Sequence, residues 1–322
     1  MEGTGMRAIS VVLLSAAAVM AADQDFNGRW TIKVEGYTAR VWWLEVNGAG
    51  TPNPTGKFVG APGGDMDVIP EMKIAGGELR FYMNKRYVRD AKGPTQPRGV
   101  YAAKLQDGKL IGEFWVEGRE NAPRTKWVGT RAPVITDKDD GTWKPARPVK
   151  LFNGKDLSGW LPIIEGKELG WTVENGIMKN IAGANNLKSA EKFWNFDLHV
   201  EFRLGPKTNS GIGLRGRYEI QVLEDYGREP NTHSAGALYS RIAPRVNASK
   251  PAGEWQTYDI RLIGRTLTVV FNGVKILDKV EVEGFTAMAH DADEGLPGPI
   301  SIQGDHGPIE IRDITVTPLV RK

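Results

Sequence analysis

The sequence predicts an all-β protein built as two β-rich blocks. Apolar residues recur with period two in short runs, as they do in half-buried strands. Asn–Gly and Asp–Gly pairs sit between such runs, where hairpin turns need a positive φ. No stretch of useful length outside the N-terminal segment shows helical periodicity. The 322 residues exceed one typical core and suffice for two domains. The 39 glycines, 19 prolines, ten Trp and eight Tyr suit a turn-rich β protein.

The chain begins with Arg7, an apolar run from Ile9 to Met20, then Ala21–Ala22–Asp23. A short positive region, a short apolar core and small residues form the pattern of a secretory signal peptide over residues 1–21, with cleavage after Ala21. The run is short for a membrane span. An exported mature protein, periplasmic or secreted, is the expectation. There is no cysteine, hence no disulfide framework, thiolate nucleophile or Cys-ligated metal. A net charge of +3 implies neither a nucleic-acid surface nor a membrane-binding patch. The sequence does not define an oligomeric state.

Residues 24–131 form the first block. Strands are expected at Trp30–Val34, Ala39–Val46, Glu78–Met83, Gly99–Leu105, Lys109–Val116 and Arg124–Thr130, with turns at Asn47–Gly48 and Asp107–Gly108. About six to eight short strands suggest a small barrel or sandwich. Gly28–Arg29–Trp30 opens the first strand and Arg131 ends the last. This resembles the lipocalin-type pairing of an early Gly–x–Trp with a late Arg over the indole, and so implies a calycin-like barrel. Residues 132–149, with Pro133, Pro145, Pro148 and the charged run Asp137–Asp140, read as an irregular linker.

The second block runs from residue 150 to 322. Trp171–Val173 and Ile177–Asn180 flank an Asn175–Gly176 turn, and Asp197–Leu204 alternates cleanly. Tyr258–Ile263, Leu267–Phe271 and Val274–Leu277 follow, the last two joined by Asn272–Gly273. Ile300–Gln303 and Ile309–Val316 close the block. The apolar parity of the last strand switches between Ile311 and Ile314, which predicts a bulge near Arg312–Asp313.

The most informative stretch is Ile212–Leu223. Read as one strand, it buries Ile212, Leu214, Tyr218, Ile220 and Val222 and presents Arg215, Arg217, Glu219 and Gln221 on the opposite face. Four bidentate-capable polar groups in a row suit ligand reading. A polar outer face laced with cross-strand ion pairs is the alternative.

The second block resembles the bacterial 3-keto-disaccharide hydrolase domain. The matching text is Leu151–Trp160, Asp197–Leu204, Ser210–Leu223, Ala235–Tyr239, Gly253–Asp259, Asn272–Val274 and Gln303–Gly307, in the expected order. One departure is Arg312–Asp313, where the family usually carries Arg–Asn. The resemblance implies a concanavalin-like jelly-roll of two curved antiparallel sheets with a carbohydrate bound on the concave face. It also implies hydrolysis of glycosides whose sugar is already oxidised at C3.

A C3 ketone acidifies the C2 proton. A base removes it, the C1 substituent leaves, and water adds back. The route needs a base near C2, a donor on the C3 oxygen and an acid for the leaving oxygen. Glu219 is the first candidate base. Two arginines on its face would lower its pKa and favour ligand or ion holding, in which case His306 is the base. Arg215, Arg217 and Gln221 are candidate substrate-binding groups. His306, between Asp305 and Gly307, is a candidate catalytic residue that Asp305 can orient. His233, Tyr239 and Asp305 are further substrate-binding candidates, and Trp194, Tyr239 and Trp255 either stack on a pyranose face or pack the core. His199 reads as a solvated strand residue and His290 as part of an exposed acidic loop. A divalent metal is left open, with Asp225, Glu219 and His306 as possible donors; no spacing identifies a metal site. No dinucleotide fingerprint, phosphate loop or Gly–x–Ser–x–Gly elbow is present. A non-catalytic carbohydrate-binding module on the same fold is the rival function.

Overall fold

The computed structural model describes residues 23–36, 40–60, 64–84, 97–119 and 121–321. The signal-peptide reading, and Ala39 at the start of one expected strand, lie outside them. Contacts divide the chain into two units. The first ends at Ala132; the second runs from Pro133, and Arg40, Gly64 and Asp65 group with it.

Nine strands are described in the first unit: β1 (Gly28–Val34), β2 (Val41–Asn47), β3 (Thr55–Val59), β4 (Met66–Val68), β5 (Glu71–Ala75), β6 (Glu78–Met83), β7 (Gly99–Gln106), β8 (Lys109–Val116) and β9 (Thr125–Arg131). They form one antiparallel sheet in the order β4-β3-β2-β1-β9-β8-β7-β6-β5. The first strand thus pairs with the last, and Trp30 faces Arg131 in register. The Arg131 guanidinium lies 4.0 Å from the Trp30 ring centroid and donates to the Asn27 and Asp25 carbonyls. Gly28 makes room: its φ is +115°, and a Cβ there would stand 2.8 Å from Arg131 Nη1. Inside, Phe81 and Tyr101 stack at 4.6 Å beside Trp42, Phe58 and Phe114. Asp107–Gly108 makes the expected tight turn, with φ of 49° and 73°. Asn47–Gly48 instead opens a longer loop, because β3 begins only at Thr55.

The second unit carries β10 (Lys144–Pro145), β11 (Val149–Lys150), β12 (Trp160–Pro162), β13 (Trp171–Glu174), β14 (Ile177–Asn180), β15 (Leu187–Phe193), β16 (Phe196–Leu204), β17 (Asn209–Leu214), β18 (Tyr218–Leu223), β19 (Trp255–Ile263), β20 (Thr266–Phe271), β21 (Val274–Glu281), β22 (Gly298–Ile302) and β23 (Ile309–Val320). Two antiparallel sheets result. One runs β13-β14-β23-β16-β19-β20-β21, with β10 and β11 also on β23; the other runs β12-β15-β22-β17-β18. The alternation seen in the sequence places Leu198, Val200, Phe202, Tyr258, Ile260 and Leu262 in the core. From the five-stranded sheet, Ile212, Leu214, Ile220, Val222, Ile300 and Ile302 are fully buried. Each such side chain contributes about 1.5–3 kcal/mol on burial. The expected bulge is present: Asp313 pairs with Glu201 and Ile311 with Phe202, leaving Arg312 as the extra residue. That extra residue explains the parity switch.

Residues 133–149 are part of the second unit, not a free linker. Lys144 and Pro145 pair with Val320 and Leu319, and Val149 pairs with Val316. The Asp137 carboxylate accepts hydrogen bonds from Trp194 Nε1 at 2.8 Å and Asn195 Nδ2 at 2.9 Å. Proline removed donors here but left the chain free to run as an edge strand. Gly264 fits beneath this segment with φ of +54°, and a Cβ on it would stand 2.1 Å from the Asp137 carbonyl oxygen. Gly264→Ala is therefore expected to cost at least about 1–2 kcal/mol in urea unfolding, from the left-handed backbone alone. An unchanged midpoint would show that Gly264 does not take this left-handed conformation against the Asp137 segment.

Candidate functional site

The stretch Ile212–Leu223 is two strands joined by a tight turn. Arg215 and Gly216 have φ of 54° and 67°, and the Arg217 N–H donates to the Leu214 carbonyl at 3.0 Å. Positive φ at both central positions is the geometry that continues the twist of a hairpin. The turn takes both arginines away from the candidate ligand face. Arg215 stacks 4.1 Å from the Trp194 ring and donates to Trp194 O, Gly264 O and Asn195 Oδ1. Arg217 donates to Leu296 O at 2.9 Å and to Asp291 Oδ1 at 2.9 Å. Both side chains are fully buried. Arg215 and Arg217 thus hold the turn and the segments around it, and the substrate-binding role expected of them is withdrawn. Trp194 is likewise spent on packing.

The hairpin places Glu219 opposite Gly213 and Gln221 opposite Gly211. Gly213 in turn faces Ser301, and the Gln303 N–H donates to the Gly211 carbonyl. On the other edge of β18, Tyr239 N–H donates to Glu219 O, and Gln221 N–H to Ala237 O. Alternation then puts Tyr239, Glu219, Gly213 and Ser301 in one row. Ala237, Gln221, Gly211 and Gln303 form the next, and Asn209 lies on the same face. The face carries two glycines and an alanine at its centre, ringed by polar side chains, and it points away from the sandwich core.

Glu219 lies across the glycine floor. A Cβ on Gly211 would stand 2.5 Å from Glu219 Oε1 and 2.7 Å from Met288 Sδ. Glu219 is 1% exposed, and its Oε2 has no hydrogen-bond partner. Burial pushes its carboxyl up to about 8, against the opposing pull of the His306 charge and a Met288 backbone hydrogen bond. The sequence reading expected two arginines to lower this pKa. The turn removes both, and desolvation wins.

His306 sits in the loop between β22 and β23. Asn186 Oδ1 accepts from the Gly304 and Asp305 N–H groups, and Asn180 Nδ2 donates to the Gly304 and Gly307 carbonyls. These two amides fix the loop. Asp305 Oδ1 stands 2.8 Å from His306 Nδ1, which leaves Nε2 of the half-exposed ring available. The hydrogen bond to Asp305 raises the His306 pKa above its ordinary value, burial opposes, and the Asp305 and Glu219 charges add to the rise. Burial acts to raise the Asp305 carboxyl, but the hydrogen bond and charge of His306 prevail and hold it below its usual value. Asp305 is therefore an orienting group for His306, not the substrate contact expected from sequence.

His233 is exposed, with its ring edge-on to Tyr239 at 4.9 Å and Nε2 at 3.2 Å from Asp65. Tyr239 is brought beside Glu219; His233 reaches the site only through Tyr239. Trp255 lies between Arg203 and Arg312, at 4.8 and 4.4 Å, on β19. His199 pairs with Asp259 on the strand surface. His290 is not in an exposed acidic loop. Its Nε2 is 2.7 Å from Ser301 Oγ, and burial pushes its pKa down to about 4. Asp291 is bound to Arg217, and Glu294 is buried against Tyr218 and Arg265. Asp225 is spent on the Ala235 N–H and Asn247. Among the described residues no three His, Asp or Glu side chains converge as a metal site. The sequence reading missed Asn209, Ser301 and Gln303 as site residues. Their strand parity relative to Glu219 was the available signal, and the misplaced turn concealed it.

Residues 147–317 match the family model of the 3-keto-alpha-glucoside-1,2-lyase-like domain, more than half of the chain. The chain belongs to this family. A curated 3-keto-disaccharide hydrolase from Bacteroides thetaiotaomicron is 27% identical where the two align, over 40% of this chain and 57% of that protein. The chain thus spans little more than half the length of that relative. A solved structure from Parabacteroides distasonis, named provisionally as a glycosyl hydrolase, is 27% identical over 58% of this chain and 92% of that one, with a TM-score of 0.45. A second, from the same organism and similarly named, is 20% identical over 54% and 94%, with a TM-score of 0.44. The matched family and these relatives are all named for the cleavage of glycosides.

Two outcomes are expected from this geometry. Gly211→Ala keeps the strand backbone but displaces the Glu219 carboxylate and Met288; turnover should fall by about tenfold or more, and the unfolding free energy from urea titration should fall by about 1–3 kcal/mol. Glu219 also carries a pH signature. Its folded pKa is above the unfolded value, so the folded state binds the proton more tightly. Ionisation then weakens the fold progressively as pH rises from about 4.5 to about 8. Glu219→Gln should remove that decline, and its stability advantage over the wild type, read by urea unfolding, should grow across the same window.

Proposed function

We propose that the protein is an exported enzyme that cleaves 3-keto-glucosides by C2 deprotonation, elimination of the C1 substituent and hydration. The observation that carries this is Glu219: a fully buried carboxyl with one unpartnered oxygen, electrostatically coupled to an imidazole that Asp305 orients. A carboxylate with pKa near 8 is a stronger base than an ordinary one, which suits removal of a proton α to a ketone.

In the proposed course Glu219 takes the C2 proton. The electron pair of the broken C–H bond becomes the enolate of the C3 ketone. Protonated His306 donates a hydrogen bond to that oxygen as charge develops. The C1–O bond then breaks, and the proton held on Glu219 passes to the leaving oxygen. Water adds at C1 and a proton returns to C2, so the net change is hydrolysis. The two carboxylates of an oxocarbenium mechanism are not required.

The test is release of p-nitrophenol from a p-nitrophenyl 3-keto-glucoside, with the unoxidised glucoside as control. Release from the keto substrate alone is expected. Glu219→Gln should lower kcat/KM by about 10²–10⁴-fold. Because the base must be ionised and His306 protonated, kcat/KM of the wild type should rise with pH toward about 8 and fall again where His306 loses its proton. Glu219→Gln should lose that rising limb. Sugar binding without turnover would instead favour a carbohydrate-binding module.

A further inference from the structure

Four side-chain oxygens on the Glu219 face are shielded from solvent and have no hydrogen-bond partner among the described residues: Glu219 Oε2, Gln221 Oε1, Gln303 Oε1 and Asn209 Oδ1. Gln221 and Gln303 are 2% and 7% exposed. They stand on either side of Gly211, in one cross-strand row. Two strand spacings separate their backbones by about 10 Å, and a glycine lies between. The Glu219 carboxylate and Met288 lie over that glycine, so a ring seated between the two glutamines rests against the carboxylate. Asn209 stands one pair further along the same face, beyond Gly211.

Such atoms are expensive to leave unpaired, at about 1–3 kcal/mol each, and natural cores avoid them. All four are acceptors, so whatever completes them must bring donors. A ketone oxygen cannot do this, because it only accepts. A pyranose oxidised at C3 has lost one hydroxyl and keeps those at C2, C4 and C6. Three amide oxygens are present for three remaining hydroxyls, and the donor that the ketone needs is His306, on the neighbouring loop.

We infer that Gln221, Gln303 and Asn209 are the specificity-determining residues of this site: they accept hydrogen bonds from the hydroxyls of a sugar seated against the Glu219 carboxylate and so turn the ketone toward His306. Given the 3-keto-glucoside assignment on which it rests, this explains how one ring orientation is chosen. A donor-poor face would hold the ketone no better than a hydroxyl. An acceptor face penalises a ketone placed there, because the buried amide oxygen would then stay unpaired.

The test uses isosteric apolar variants of the full chain: Gln221→Met, Gln303→Met and Asn209→Leu. Each removes an unpaired buried oxygen, so the urea midpoint of the empty protein should stay or rise. Each should also lose about ten- to a hundredfold in kcat/KM on the p-nitrophenyl 3-keto-glucoside. With the 4-deoxy and 6-deoxy analogues, the matched variant should lose nothing beyond what the wild type already loses. Variants that unfold more readily would mark the amides as structural and overturn the inference. Variants within twofold of wild-type kcat/KM would overturn it while leaving the 3-keto-glucoside assignment standing. If the wild type cleaves no 3-keto-glucoside, that assignment fails separately, and calorimetry with methyl glucoside decides here. Binding by the wild type that the three variants lose sustains the acceptor set. No binding, or equal binding by all four proteins, overturns it.

Discussion

The site depends on one buried cation. Arg215 occupies the first position of a two-residue turn with a left-handed backbone, a conformation that a long side chain adopts only at a cost of about 1–2 kcal/mol. Its guanidinium offsets that cost by stacking on Trp194 and donating to three oxygens on two separate segments, Trp194–Asn195 and Gly264. Among the described residues no carboxylate pairs with it directly. Burial lowers its pKa to about 10, still high enough to keep the charge at neutral pH. With the turn fixed there, β18 must run back along β17, and the pairing of Glu219 with Gly213 and Gln221 with Gly211 follows. A slip of one residue would send Glu219 into the sandwich core.

What the turn removes from the face matters as much as what it delivers. Had the two guanidiniums stayed beside Glu219, the carboxylate would have been paired and a weak base. Their withdrawal leaves desolvation as the dominant influence, with a single oriented imidazole as counter-charge. Glu219 and His306 each favour the charged form of the other. Gly211 completes this arrangement. Any larger residue there would compete with the carboxylate and with Met288 for the same space.

The legible parts of the sequence were those set by local chemistry. Asn175–Gly176, Asn272–Gly273 and Asp107–Gly108 made tight turns, since Gly follows a residue that tolerates positive φ. Period-two alternation found β16, β19, β20 and β23, and a parity switch found the Arg312 bulge. Arg215–Gly216 carries no such residue at its first position, so an unbroken alternation read through the turn. The same error put Arg215 and Arg217 on the ligand face and hid Asn209 and Gln303. Strands β3, β4 and β5 were missed because their apolar residues are too few to set a period. His290 was missed because an acidic neighbourhood reads as exposed, while Arg217, Tyr218 and Arg265 bury much of that acidity from distant parts of the chain.

A face that holds unpaired acceptors in the empty state is less stable than an apolar one of the same shape, and the sandwich core beneath must carry that deficit. The deficit also links binding to ionisation. Hydroxyl donors arriving at this face favour the charged carboxylate over the neutral one, so a bound polyol lowers the pKa of Glu219 from its empty-state value. The carboxyl then holds its proton while the site is vacant and surrenders it more readily once the ring is seated. A base built this way stays protonated while the site is vacant, when ionising it would cost most in stability, and it ionises more readily only where a donor-rich ligand with an acidic C–H bond lies against it. Burial, the influence that destabilises the empty protein, is thus also what confines the base to its substrate.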